Sequence, residues 1–214
     1  MSGLLILGAG GHAKVVAETA LASGVASRIA FLDDRCTGPD LWLPVSGWPV
    51  LGPLALSLQA GTPAQFDIAV VAIGNAATRL LWIEKLQAAG YHLPVLMHPT
   101  AWVSPSAQLG PASVVFAQAA VQAQASIGTG AILNTGCSVD HDAKLADGVH
   151  ICPGARLAGA VHIGARSWIG IGASVIQQVC IGSDVTVGAG AVVVRDLPDG
   201  VTAVGVPASV LSSN

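Results

Sequence analysis

The second half of the chain repeats its apolar positions every six residues. Val103, Leu109, Val115, Val121, Ile127, Leu133, Val139 and Leu145 begin the series, and Ile151, Leu157, Ile163, Ile169, Val175, Ile181, Val187 and Val193 complete it, sixteen positions without a gap. Four residues after each comes a second register, Ala107, Ser113, Ala119, Ala125, Ala131, Cys137, Ala143, Val149 and onward, in which only Leu197 is larger than Val. A helix repeats near 3.6 and an ordinary strand at 2, so a strict six is neither. It fits a strand–turn unit whose large aliphatic and small residue both point inward, the small one near a crowded corner. Three units close a triangular coil of eighteen residues, and coils stacked at about 4.8 Å give a prism roughly 25 Å tall. Gly follows the first register at 110, 128, 164, 170, 182 and 188, where it is expected to supply turn conformations.

Residues 1–98 read as a second domain, ahead of a repeat domain at 99–214. Residues 4–7 are a buried strand, 14–22 a helix, 29–33 and 67–73 two further strands, 76–89 a second helix and 93–96 a short fourth strand. This alternation predicts a parallel α/β sheet. The stretch 35–53, rich in Pro and Gly, reads as a surface excursion. Gly8, Gly10 and Ala13 fit G-x-G-x-x-G/A directly after a strand, with Asp33 about 20 residues on. Such glycines let backbone approach phosphate at a helix N-terminus, and such an acid holds a hydroxyl. A tight turn without a ligand remains open. A dinucleotide is disfavoured because fewer than a hundred residues make only half of that fold.

Composition narrows the classes. The chain is 52% hydrophobic, 4% aromatic and 10% charged, which excludes a disordered protein. Nine Lys and Arg in a chain of net charge -3 exclude a broad nucleic-acid face. No eighteen-residue apolar run suggests a membrane span, and the N-terminus lacks a basic leader, so a cytoplasmic location is expected. Cys36, Cys137, Cys152 and Cys180 are widely spaced and read as free thiols. Cys137 falls in the inward register, while Cys152 is expected to face out.

The chemistry concentrates at Asn134-Thr-Gly-Cys-Ser-Val-Asp-His-Asp142. Val139 points in, so His141 reaches a corner facing outward, flanked by Asp140 and Asp142. A carboxylate on the ring fixes its tautomer and raises its basicity. One coil on, Gly159 leaves the space above the ring open and offers a backbone N–H. His150 faces out with Trp168 one coil later, as a ring stack or a substrate contact. Asn134 is a substrate ligand or a turn cap. The spacings of His141, His150 and His162 match no metal site.

The repeats, together with the tail Asp196-Leu-Pro-Asp-Gly and Val204-Gly-Val-Pro-Ala208, resemble the hexapeptide-repeat acyltransferases. With Gly8-Ala-Gly-Gly-His-Ala-Lys14 opening the chain, it is similar over its whole length to acetyltransferases acting on the C4 amine of nucleotide-linked 4-amino-4,6-dideoxysugars. The resemblance implies a left-handed parallel β-helix, preceded by a small Rossmann-like domain, acting as a homotrimer with acetyl-CoA as co-substrate. It implies that Gly10, Gly11, His12, Asp33, Asp34, Asn75 and Arg79 hold the nucleotide sugar, with Asn134 and His150 beside the acceptor. It implies His141 as base, Asp142 as its partner, and acetyl-CoA running past His150, Gly159, Ile171 and Ala189. Lys144, Arg156, Arg166 and Arg195 are candidates for the coenzyme phosphates. Ser209 stands where the family usually has Lys or Arg, removing one expected contact to the 3′-phosphate. O-acetylation of a sialic-acid-type sugar is the alternative reaction, and a scaffold that only binds nucleotide sugar is the alternative class.

Overall fold

The computed structural model describes residues 3–35, 45–59 and 61–211, which fall into two compact units, Met1–Leu96 and Met97–Asn214. The first unit holds strands β1 (Gly3–Leu7), β2 (Arg28–Leu32), β3 (Val50–Gly52) and β4 (Ile68–Val71), all parallel in the order β3-β2-β1-β4. Its helices are α1 (Gly11–Ala22), α2 (Thr62–Gln65) and α3 (Ala76–Ala88). Leu4, Leu5, Ile6 and Leu7 of β1 are wholly buried, the unbroken apolar run that a strand covered on both faces requires. Ala13, Val16, Ala17 and Ala20 form the buried stripe of α1 at helical spacing. The chain leaves β1 for β2 on one side and later reaches β4 on the other. The winding therefore reverses beside β1, and the carboxyl ends of strands at such a reversal form a natural crevice.

One edge of this sheet differs from the sequence reading. Residues 93–95 form no strand; His92 makes a single bridge to Ile68, and a two-residue strand follows at Leu96–Met97. The missing edge comes from the expected excursion, where β3 is fixed as Pro49 O accepts from Phe31 N (2.9 Å) and Gly52 O from Asp33 N (2.9 Å). Three residues between Pro49 and Pro53 are too few to show alternation. Residues 36–44 of that stretch lie outside the described residues.

The second unit is a left-handed parallel β-helix of sixteen two-residue strands, from Trp102–Val103 to Val192–Val193. Up to Val175, each strand pairs with the one eighteen residues on, as Ile132 with His150 and His150 with Trp168. From Val115 to Val193 every large inward residue is buried, and so is every small one from Ser113 to Ala191. The buried Ser113 hydroxyl donates to Gly128 O (2.9 Å) and accepts from Ala131 N (3.0 Å), so its burial strands no polar group. At the end, Thr202–Val204 extends one face in parallel, and Ser209–Val210 pairs with it antiparallel.

The glycines do not do what the pattern suggests. Those at 110, 128, 164, 170, 182 and 188 avoid positive φ and instead allow close approach: a Cβ on Gly170 would stand 2.5 Å from Val187 O in the next coil. The left-handed corners fall two residues further along each unit, at Ala112, Gln118, Gln124, Gly130, Gly136, Asp142 and onward every six residues to Gly190. Eight of those fourteen corners are not glycine, which is why composition does not reveal them.

Candidate active site

His141 stands at one of these corners. Val139 is pinned in the core, Asp140 Oδ1 accepts from the His141 backbone N–H (2.8 Å), and Asp142 follows at φ 59° with its N–H on Ala123 O (3.0 Å). Asp tolerates the left-handed region better than most residues, and the bend turns its carboxylate back onto the ring. Asp142 Oδ2 lies 2.8 Å from His141 Nδ1. An ionised carboxylate only accepts, so Nδ1 carries the proton and Nε2 keeps its lone pair in neutral imidazole. Both side chains are 60% exposed. The bond to Asp142 raises the imidazole above its ordinary 6.5, slight desolvation opposes it, and the charges of Asp140 and Asp142 add to the rise.

A pH profile checks this. A base that must be neutral loses activity as pH falls through its pKa, so the acid limb of turnover should lie above 6.5. In Asp142→Asn the main raising cause is gone, and the limb should move to lower pH while the plateau falls about ten-fold or more. An unmoved limb would assign the titration to another group.

Gly159 lies one coil beyond His141 and is itself buried; a Cβ there would stand 2.5 Å from both Cε1 and Nε2 of the ring. The space left by the missing side chain is thus taken by the imidazole. Among the described residues the Gly159 N–H has no acceptor, while its carbonyl accepts from Gln178 N (3.0 Å). Beside it runs a polar ladder. Asn134 Nδ2 donates to His150 Nε2 (3.2 Å), Asn134 Oδ1 accepts from Thr135 N (2.9 Å), and the His150 ring meets Trp168 edge-on with centroids 6.3 Å apart. Asn134 and His150 thus each have a structural partner and each stay partly exposed. Ile171 (56% exposed) and Ala189 lie on the surface, Ile171 being a large apolar side chain open to a ligand or a second chain. Arg166 forms a two-pronged pair with Asp184 in the next coil (2.7 and 2.5 Å). Lys144 and His162 line a groove of about 370 Å³ on another face.

Cys152 is not an outward thiol. It is 4% exposed, and burial pushes it up to about 12; burial does the same to Cys137. The residue after an inward aliphatic is covered here by its neighbours. Cys180 is exposed, and Cys36 lies outside the described residues. Among the described residues no three His, Cys, Asp or Glu side chains gather as a metal site, and no helix is long and apolar enough to cross a membrane.

The first unit carries its own cavity, of about 350 Å³, at the carboxyl ends of β1, β2 and β4. Gly10, Gly11, His12, Asp33 and Asp34 line it, as does Arg35, which the motif reading passes over. Burial, then the charge of Arg79, pushes His12 down to about 4, so the ring is neutral there. Asn75 and Arg79 are not among the walls. Asn75 caps α3 by accepting from Thr78 N (2.9 Å). Arg79 is 1% exposed and donates to the carbonyls of Ile73 and Gly74 (2.9 Å each), fixing the backbone that forms one wall. Adjacent acid, acid and base at 33–35 on a strand end was the signal that could have found Arg35.

Residues 3–86 match the PglD N-terminal domain family. With that domain ahead of a repeat prism, the chain belongs to the hexapeptide-repeat, left-handed β-helix sugar N-acetyltransferases, a relationship that full-length relatives establish. It is 50% identical to the acetyltransferase domain of PglB from Neisseria gonorrhoeae, covering 99% of this chain and 100% of that one with a TM-score of 0.92. That domain is also known in complex with acetyl coenzyme A. It is 42% identical to the GDP-perosamine N-acetyltransferase of Caulobacter crescentus, solved as a variant with CoA and GDP-perosamine, covering 100% and 98% with a TM-score of 0.92. A curated relative, the serine acetyltransferase of Helicobacter pylori strain J99, is 37% identical over 78 residues, 36% of this chain and 46% of that enzyme. The chain thus spans less than half the length of that relative.

Proposed function

We propose that this protein transfers acetyl from acetyl-CoA to the C4 amine of a nucleotide-linked 4-amino-4,6-dideoxysugar, a step in surface glycan assembly. GDP-perosamine leads as acceptor, with UDP- and dTDP-sugars as competitors. The observation that carries the reading is the acid-paired, largely exposed His141 beside a Gly159 N–H that has no acceptor among the described residues, in a chain 42% identical throughout to a GDP-perosamine N-acetyltransferase. The nucleotide sugar occupies the cavity at Gly10, Gly11 and His12, with the 33–34 carboxylates at its mouth, while acetyl-CoA follows His150, Gly159, Ile171 and Ala189. The site is completed in a homotrimer, because a single prism face does not enclose a ligand.

The sugar ammonium gives its extra proton to solvent. The neutral amine then adds to the thioester carbonyl while His141 Nε2 takes a second proton from its nitrogen, and the Gly159 N–H steadies the oxyanion. The intermediate collapses to amide and thiolate as the C–S bond breaks, and the imidazolium protonates the thiolate. Asp142 holds the ring and stabilises its charged form throughout.

Thiol release from acetyl-CoA, measured with GDP-, UDP- and dTDP-linked 4-amino sugars beside free sialic acid, tests this directly. Release should occur with one amino-sugar nucleotide, GDP-perosamine foremost. Release with sialic acid alone would replace the proposal with the O-acetyl reading, and release with none would favour a binding scaffold.

A further inference from the structure

We propose that Arg35 reads the diphosphate of the nucleotide sugar, and that Asp33 is a positioning residue acting through it rather than a ligand for ribose. This rests on the reading that the first unit's cavity holds a nucleotide.

Asp33 is 6% exposed and surrounded by donors. Its Oδ2 accepts from Ala9 N (2.7 Å) and Arg35 Nη2 (2.8 Å); its Oδ1 accepts from Arg35 N (2.9 Å) and Arg35 Nε (3.0 Å). A carboxylate offers about four lone-pair sites, and four N–H groups fill them. A ribose hydroxyl would find no vacant acceptor there. The Arg35 fork, above all, holds this carboxyl at about 2, so it stays ionised across any working pH.

The effect is to fix Arg35 at the cavity mouth. Its side chain is 75% exposed and lines the cavity. It lies along the glycine turn, so that a Cβ on Gly10 would stand 3.4 Å from Arg35 Nη2. Gly10 also caps α1, which has no side-chain cap and no acidic residue in its first turn. A fixed guanidinium and the amide end of a twelve-residue helix thus border one cavity, of about 350 Å³. Asp34 differs from Asp33. It is exposed, one oxygen accepts from Leu54 N (2.8 Å), and the other has no partner among the described residues. It is the acid left to meet a sugar hydroxyl.

The test is titration of the full chain with GDP and guanosine, with UDP and uridine, and with dTDP and thymidine. Arg35→Met should weaken whichever diphosphate the wild type binds by about ten- to thirty-fold and the matching nucleoside by less than about two-fold. Arg35→Lys should restore part of the loss. With the nucleotide sugar, KM should rise while kcat at saturation holds. Asp33→Asn should weaken the diphosphate alone and add little to Arg35→Met; should it melt early because its Ala9 bond is weakened, the two Arg35 variants carry the test. Equal binding by Arg35→Met and wild type would overturn the proposal, as would nucleoside binding lost with Asp33→Asn. If the wild type bound none of the three diphosphates, the nucleotide reading would fall first and this inference with it.

Discussion

His141→Ala should lose roughly two to four orders of magnitude in turnover while its affinity for the nucleotide sugar stays near that of wild type. The loss falls on kcat because, in the proposed mechanism, the ring meets only the reacting amine. In the proposed reading the sugar's nucleotide is held by the first unit, while His141 belongs to the second. The ring is well exposed and its removal opens no core, so melting should be unchanged. Steady-state kinetics beside a binding titration decide the matter. Turnover close to wild type would place the base elsewhere.

Gly159→Ala should be nearly as severe, for a geometric reason. The backbone at 159 does not use positive φ, so alanine is conformationally permitted and the coil should still form. It is also held on both sides: Ala158 N bonds Val175 O (3.0 Å) and Ala160 N bonds His141 O (2.8 Å). A methyl 2.5 Å from Cε1 and Nε2 therefore moves the imidazole rather than the main chain. The ring must swing away from Asp142, and a misplacement near 1 Å costs about a hundred-fold in rate. An intact melting curve with lost turnover is the expected pair of results. Full activity in this variant would show that the ring's observed pose is not the reactive one.

These two residues also show what the sequence discloses. The six-residue rhythm gives the strands and their inward residues almost completely, because one aliphatic per unit is a requirement that no neighbour can meet instead. From it the outward station of His141 and the overlap with Gly159 follow by counting eighteen. The role of Gly159 does not: its emptiness serves the ring, which only coordinates reveal. The left-handed corners escape notice since Ala, Gln, Asp and Arg occupy them as well as Gly. In the first unit the glycine turn and Asp33 are legible as a motif, but the donors that fill Asp33 come from Ala9 and Arg35, and the pairing depends on how β1 and β2 end side by side. The resemblance implies Arg79 as a ligand for the nucleotide sugar; its burial follows from the one face that α3 turns inward with Ile83 and Leu86.

Because each coil bonds only to the coils adjoining it, the molecule behaves as a ladder whose rungs are interchangeable for stability. They are not interchangeable for reactivity. Excising one hexapeptide between Asp142 and Gly159 would preserve the apolar rhythm yet bring Ala165 under the imidazole, and excising a whole turn of eighteen would bring Gln177. In the proposed reading, lengthening or shortening of such a ladder in its descent is therefore barred across that junction.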